Sequence, residues 1–195
     1  MRIISGKAKG LQLNSPLGRS LAIRPTSDRS REALFSILGE KIAQARVLDL
    51  YAGTGAFGIE ALSRGAASAV FVDSSPTSLH LIRKNTVILQ KCLIRESFQP
   101  DISIIKCDLR KGLQSVFRKS SDTDPFDIIF LDPPYDKNLA QRTLEDLDNT
   151  SFLAKHGLIV AEERAKAVLS VEFKQFRLLD RRRYGDTGFW IYTAR

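Results

Sequence analysis

The sequence predicts an α/β domain: a mostly parallel, seven-stranded sheet with helices on both faces, ended by a C-terminal antiparallel hairpin and preceded by a small β-hairpin. Three observations carry this. Apolar, β-branched runs alternate with helical periodicity from Val47 to Ala161, as crossover βαβ units do. A glycine-rich turn joins the first of these runs to a helix. Near the end, Phe176–Leu179 and Phe189-Trp190-Ile191-Tyr192 flank Tyr184-Gly185-Asp186-Thr187-Gly188, a hairpin signature.

Taken in order, Ile3-Ile4-Ser5 to Gln12-Leu13 reads as two short strands around a turn containing Gly6 and Gly10, with Lys7 and Lys9 displayed at its tip. We set this basic hairpin extension as residues 1–26 and the main domain as residues 27–195. Thr26, Ser27 or Asp28 can cap a helix whose apolar face is Ala33, Leu34, Ile37, Leu38 and Ile42. Val47–Tyr51 is the first strand of the alternating region, and a helix from about Phe57 to Arg64 stops at Gly65. Ala69–Asp73 is the second, with a long helix after Pro76, and Ile102–Ile105 is the third. Phe126–Leu131 has the length and bulk of a fully buried strand, and Pro133 and Pro134, which cannot donate to a ladder, end it. A helix over Leu139–Leu147 leads to the strand Gly157–Ala161.

Composition narrows the function classes. The chain has 195 residues, 43% of them hydrophobic, and a net charge of +8. No run approaches the roughly 20 apolar residues of a membrane span, and Met1–Lys7 has no apolar core for a signal peptide. Cys92, Cys107, His80 and His156 show no metal-ligand or redox spacing, and the cysteines read as reduced packing residues of a cytoplasmic protein. The charge is uneven: +6 over residues 1–31, +5 over residues 164–195 and −3 between. Two basic ends around a near-neutral body predict a shared surface aimed at nucleic acid.

The glycine turn Asp49-Leu50-Tyr51-Ala52-Gly53-Thr54-Gly55-Ala56-Phe57-Gly58 fits GxGxxG, and Asp73 follows Gly53 by 20 residues. That pattern serves NAD as well as other adenosine cofactors. Gly53 and Gly55 let backbone approach a ligand, and Asp73 is placed to accept from ribose hydroxyls. Asp49 discriminates: a carboxylate here suits a cationic cofactor with an amino group and a sulfonium, and disfavours a pyrophosphate. S-adenosylmethionine is therefore the expected cofactor. Asp108 is placed to accept from the adenine amine, with Leu109 against the ring.

Asp132-Pro133-Pro134-Tyr135 then has a defined task. The Asp132 carboxylate and the Pro133 carbonyl can each accept an N–H from an exocyclic amine, holding its lone pair towards a methyl donor. Pro134 keeps the turn rigid, and Tyr135 can stack on a base that is unpaired or flipped out.

Together these residues resemble the RsmD family, bacterial 16S rRNA guanine-N2 methyltransferases within the Rossmann-like, class I S-adenosylmethionine-dependent methyltransferases. The resemblance rests on Arg2–Gly6, on Arg24-Pro25-Thr26-Ser27-Asp28 with Arg31-Glu32-Ala33-Leu34-Phe35, on Leu48–Ala66, on Asp132–Tyr135 and on Tyr184-Gly185. It implies methyl transfer to the N2 amine of one guanine of the small ribosomal subunit. It also implies cofactor roles for Asp49, Gly53, Gly55, Asp73 and Asp108, and RNA contact by Arg24 and the basic hairpin. Arg181, Arg182 and Arg183 take the same RNA reading. Tyr51 stands where Phe is common in the family, and Asp73 where Glu is common. The chief alternative is a DNA adenine-N6 methyltransferase. Protein-glutamine methylation, an NAD oxidoreductase and a non-catalytic RNA-binding module are less consistent with the basic ends, Asp49 and Asp132. A monomer is expected.

Overall fold

A computed structural model describes residues 1–15, 28–113, 116 and 124–195. Arg24 and the capping residues Thr26 and Ser27 lie outside the described residues. Seven strands, β1 (Arg46–Leu50), β2 (Ser68–Asp73), β3 (Asp101–Lys106), β4 (Phe126–Leu131), β5 (Leu153–Arg164), β6 (Phe176–Tyr184) and β7 (Thr187–Ala194), form one sheet in the order β3-β2-β1-β4-β5-β7-β6. The first five are parallel, and β7 runs antiparallel to both its neighbours. The described helices are α1 (Asp28–Leu38), α2 (Ala56–Ser63), α3 (Pro76–Arg95) and α4 (Leu139–Leu147).

The pleat sorts the core into two layers. Val47, Phe71, Ile128, Phe130, Val160 and Phe189 face α1, α2 and α3, whereas Leu48, Leu50, Ile129, Leu131, Trp190 and Tyr192 face α4 together with Leu109, Leu113 and Val116. The first layer contains a ring column: Phe130 stacks on Phe57 (centroids 4.1 Å apart), Phe57 on Phe35 (5.0 Å), and the Arg64 guanidinium caps Phe35 at 4.6 Å. Offset ring pairs of this kind add to area burial, and here they tie α1 and α2 to the central strand. Ser75 caps α3 by accepting from the Ser78 N–H, and Pro76 fills its first turn.

The N-terminal segment forms an antiparallel turn held by one bridge pair, Arg2 with Gln12, and by backbone bonds such as Ile3 N–H to Leu11 O. It lies across the outer side of α2, which explains why that helix is buried nearly all round. Glu60 (1% exposed) accepts from the Ile4 and Ser5 N–H groups at 2.8 and 2.9 Å and from Arg64 Nε. Ser63 Oγ accepts from Ala8 N–H and donates to Ser5 O. A Cβ on Gly6 (φ +86°) would stand 2.1 Å from Ser63 O, so only glycine permits this approach. Arg31 is buried and donates to Arg2 O at 2.9 Å.

In a parallel sheet the crossover helices run against the strands, so the end of α2 lies at the amino edge of the sheet. Lys7 N–H donates to Ser63 O at that end, and the lysine tip therefore sits roughly 12 Å, one helix length, from the glycine turn. The β6–β7 turn lies at the carboxyl edge instead, where Tyr184 pairs with Thr187. Among the described residues, the Lys7–Lys9 tip and the β6–β7 turn thus lie at opposite edges of the sheet. Charge mapping along a sequence cannot see which end of a crossover helix a segment packs on.

Candidate active site

The carboxyl edge of β1, β4 and β5 gathers the acidic residues. Asp49 projects to the α2 side of the sheet. Phe130 and Val160 face that side as well, so Asp132 and Glu162, each two residues further on, project there too. The register sets Leu131 beside Ala161, making Asp132 and Glu162 neighbours.

Asp49 is 1% exposed and accepts from the Gly58 N–H at 3.0 Å. Burial, with a smaller contribution from Asp73, pushes its pKa up to about 8 against the opposing Gly58 bond. Gly58 brings helix onto strand: a Cβ there would meet the Phe71 ring at 2.4 Å. Tyr51, Gly53 and Gly55 alternate through positive φ values of 59°, 56° and 77°. The turn is fixed by Gly55 N–H to Ala52 O and by Gly53 N–H to Asp73 Oδ2 at 2.8 Å. The other Asp73 oxygen accepts from Ser75 N–H at 2.8 Å. Asp73 thus joins the glycine turn to the start of α3, and each oxygen retains a further lone pair for a ligand hydroxyl.

A cleft of about 190 Å³ opens beside this turn, lined by Tyr51, Asp73, Ser74, Cys107, Asp108, Leu109, Arg110, Pro134, Lys137 and Leu139. It brings together Asp73, Asp108, Leu109 and Pro134 from three separate stretches of sequence. Asp108 is already engaged: Arg110 Nε and Nη2 each donate to it at 2.8 Å, and that pairing holds its carboxyl below the usual range. Tyr51, a departure from the common Phe, shares a 2.9 Å hydrogen bond with Thr143 of α4.

Asp132 is half-buried where β4 ends. Burial raises its pKa well above the carboxylate range, and the nearby Glu162, Asp49 and Glu163 carboxylates add to the shift. Tyr135 is oriented from two sides. Its hydroxyl donates to Glu162 Oε1 at 2.7 Å, and the Arg164 guanidinium lies 5.6 Å from its ring centroid, itself paired with Asp136. Glu162 escaped the sequence reading because acids at a strand end look solvated. Its signal was adjacency to the buried run Leu158–Ala161.

Of the basic residues, Arg181 donates to Ala165 O and Ala167 O and stacks on Trp190 at 4.6 Å, which fixes its side chain along the fold while the residue stays exposed. Arg182 pairs with Asp180, and Arg183 Nε donates to Gly185 O; both are exposed at the carboxyl edge. Lys7 and Lys9 are exposed at the opposite edge, with Lys7 Nζ 5.6 Å from the Phe98 centroid.

A sequence-family model described as Conserved hypothetical protein 95 matches residues 1–193. The chain belongs to that family. Conserved hypothetical protein 95 covers nearly all of the chain, the N-terminal segment and the C-terminal hairpin included. Ribosomal RNA small subunit methyltransferase D of Haemophilus influenzae is 32% identical over 193 residues, spanning 98% of this chain and 93% of that protein. A hypothetical protein of Thermus thermophilus, of solved structure, superposes with a TM-score of 0.76 at 26% identity, covering 98% of each chain. The rRNA methyltransferase aviRa of Streptomyces viridochromogenes shares the fold at 16% identity, with a TM-score of 0.67 over 91% of this chain and 88% of that one. Among the described residues, no helix is long and apolar enough to cross a membrane.

Proposed function

We propose that this chain is an S-adenosylmethionine-dependent rRNA methyltransferase that modifies the N2 amine of a guanine in 16S rRNA, acting as a monomer in the cytoplasm. The observation that carries the reading is the placement of Asp132 at the end of β4, on the same side of the sheet as Asp49 and the glycine turn. The relative from Haemophilus influenzae, whose name carries rRNA methylation, supports the substrate class.

The residues present fit the cofactor. Asp49 is a buried carboxylate that receives only partial relief from the Gly58 N–H, an environment that favours a cationic ligand nearby. Gly53, Gly55 and Asp73 would hold the ribose side, and Leu109 with Asp108 the adenine, which would compete with Arg110 for Asp108. When bound, S-adenosylmethionine supplies an electrophilic methyl group on a sulfonium. The chain's own work is on the acceptor. Asp132 Oδ and Pro133 O accept the two N–H bonds of the exocyclic amine and aim its lone pair. Positive charge in the cleft favours ionised Asp132, and its raised pKa suits it to take the proton that the amine sheds. Tyr135, fixed through Glu162 and Arg164, offers a ring for the base.

Methyl-labelled S-adenosylmethionine, offered with undermethylated small subunits, naked 16S rRNA or DNA, tests this. N2-methylguanosine from either ribosomal substrate is the expected product, and N6-methyladenine from DNA would overturn the substrate. RNA contact should run through the carboxyl edge. Arg182→Glu with Arg183→Glu should flatten the slope of log affinity against log salt by about 1–2. Lys7→Glu with Lys9→Glu should flatten it less, because those lysines lie a helix length from the reacting base. Equal slopes in both pairs and the wild type would remove both patches from the interface.

A further inference from the structure

Asn85, midway along α3, is 0% exposed, and its carboxamide is fully occupied by two segments far apart in sequence. Its Oδ1 accepts from Asn14 N–H at 2.7 Å and from Asn14 Nδ2 at 3.1 Å. Its Nδ2 donates to Asn14 O at 3.2 Å and to Thr54 O at 3.1 Å. Thr54 lies between Gly53 and Gly55, and its hydroxyl also donates to Met1 Sδ at 3.7 Å. The open end of the N-terminal turn is therefore fastened to the glycine turn chiefly through the Asn85 carboxamide, with the Thr54–Met1 contact beside it.

We infer that Asn85 is a positioning residue for the cofactor turn, and that it acts jointly with Asn14. Seating of the N-terminal segment and binding of the cofactor would then strengthen one another. The inference rests on the reading of the glycine turn as the cofactor site. The physical basis is satisfiability. A carboxamide has two donor hydrogens and one acceptor oxygen, and all are used here. If Asn14 leaves, the Asn85 oxygen loses both of its donors, and an unpaired polar group in a packed site is costly. The carboxamide can regain partners only by turning, which releases Thr54 O and the peptide plane between Thr54 and Gly55. That plane carries the Gly55 N–H, whose bond to Ala52 O closes the turn. The arrangement has two states, both segments held or both loosened. A ligand that favours the held turn must favour the seated segment to the same degree.

The test uses S-adenosylhomocysteine binding by calorimetry, together with amide hydrogen exchange of residues 51–55 in the ligand-free protein. Asn85→Asp keeps the size and removes both donors; a loss of about tenfold in affinity is expected, equivalent to one lost bond. Asn14→Ala removes only the Nδ2 bond, from a residue outside the turn. It should weaken binding about three- to fivefold and speed exchange at the turn. The double variant should be no weaker than Asn85→Asp alone, since one linkage is being broken twice. Leu89→Val, a core lesion on the same helix, should lower thermal stability with affinity and exchange unchanged.

Unchanged affinity and exchange in Asn14→Ala would overturn the inference, even if Asn85→Asp failed to fold. Additive losses in the double variant would also overturn it. Failure of the wild type to bind the ligand would instead overturn the cofactor reading on which the inference rests.

Discussion

Replacement of Asp132 by alanine should lower the rate of methyl transfer by about a thousandfold or more while changing cofactor affinity less than about threefold. The exocyclic amine is a weak nucleophile, and the loss removes both an acceptor that aims it and the charge that favours its developing positive nitrogen. Single preorganised electrostatic contacts of this kind are worth about 10²–10³ in rate, and loss of the proton acceptor adds to that. Binding should survive because the cleft beside the glycine turn is built from Asp73, Asp108, Leu109 and their neighbours. Single-turnover transfer to undermethylated subunits, with calorimetry on the same preparation, separates the two quantities. The variant should also be no less stable than the wild type, since it deletes a carboxyl that burial and three nearby acids push towards protonation. Near-normal turnover would remove Asp132 from the chemistry.

The second large effect concerns Asp49 and carries a pH signature. The group titrates near 8 in the folded protein and near 3.8 when exposed. Between these values the unfolded chain has released a proton that the folded chain retains. The stability linked to Asp49 is therefore fully present below about pH 4 and is lost as pH rises towards 8, at about 1.4 kcal/mol per pH unit. Asp49→Asn should flatten the stability profile across this window and be the more stable protein at pH 8, read as the difference in thermal midpoint. Cofactor binding should move the other way. A cationic ligand draws Asp49 into its ionised form, so wild-type affinity for S-adenosylmethionine should rise with pH up to about 8, with proton release on binding. Asp49→Asn should bind about 10- to 100-fold more weakly at pH 8.5, the scale of losing one partly buried charge pair. Its affinity should be nearly independent of pH. A pH-independent wild type would mean that Asp49 is not the group facing the cation.

Much of this site was legible in the sequence because local chemistry fixes it. Phe126–Leu131 is apolar throughout apart from Asp127 and is stopped by two prolines, so the strand, its end and the carboxylate beyond it follow from residue type alone. Asp49, Gly53 and Gly55 likewise occur where strand–turn–helix geometry requires them. What was hidden depends on partners distant in the chain. Glu162 becomes a neighbour of Asp132 only through the β4–β5 register. Asp108 looked available for adenine, yet Arg110, two residues on, already holds it. Arg181 looked like one of three equivalent arginines. Strand alternation turns it towards Trp190, opposite it in the ladder, while Arg182 pairs with Phe189 and faces the other way. β6 was read as ending at Leu179 but continues to Tyr184, because a ladder to β7 supports a charged strand that composition alone does not suggest.

Among the described residues, that charged strand is also the last in the sheet, bonded to β7 on one side and met on the other only at its start, by the Glu172–Arg177 bridge. An open edge is a template for another chain to add to. Consecutive arginines and the irregularity between Leu178 and Asp180 make β6 a poor one. The residues proposed to meet RNA thus also guard the molecule against polymerising through its own sheet. Glutamate in place of Arg182 and Arg183 keeps that guard, whereas apolar replacements would expose a flatter edge beside the already exposed Leu179. An apolar variant would then lose RNA affinity and solubility together, and sedimentation would report the second loss.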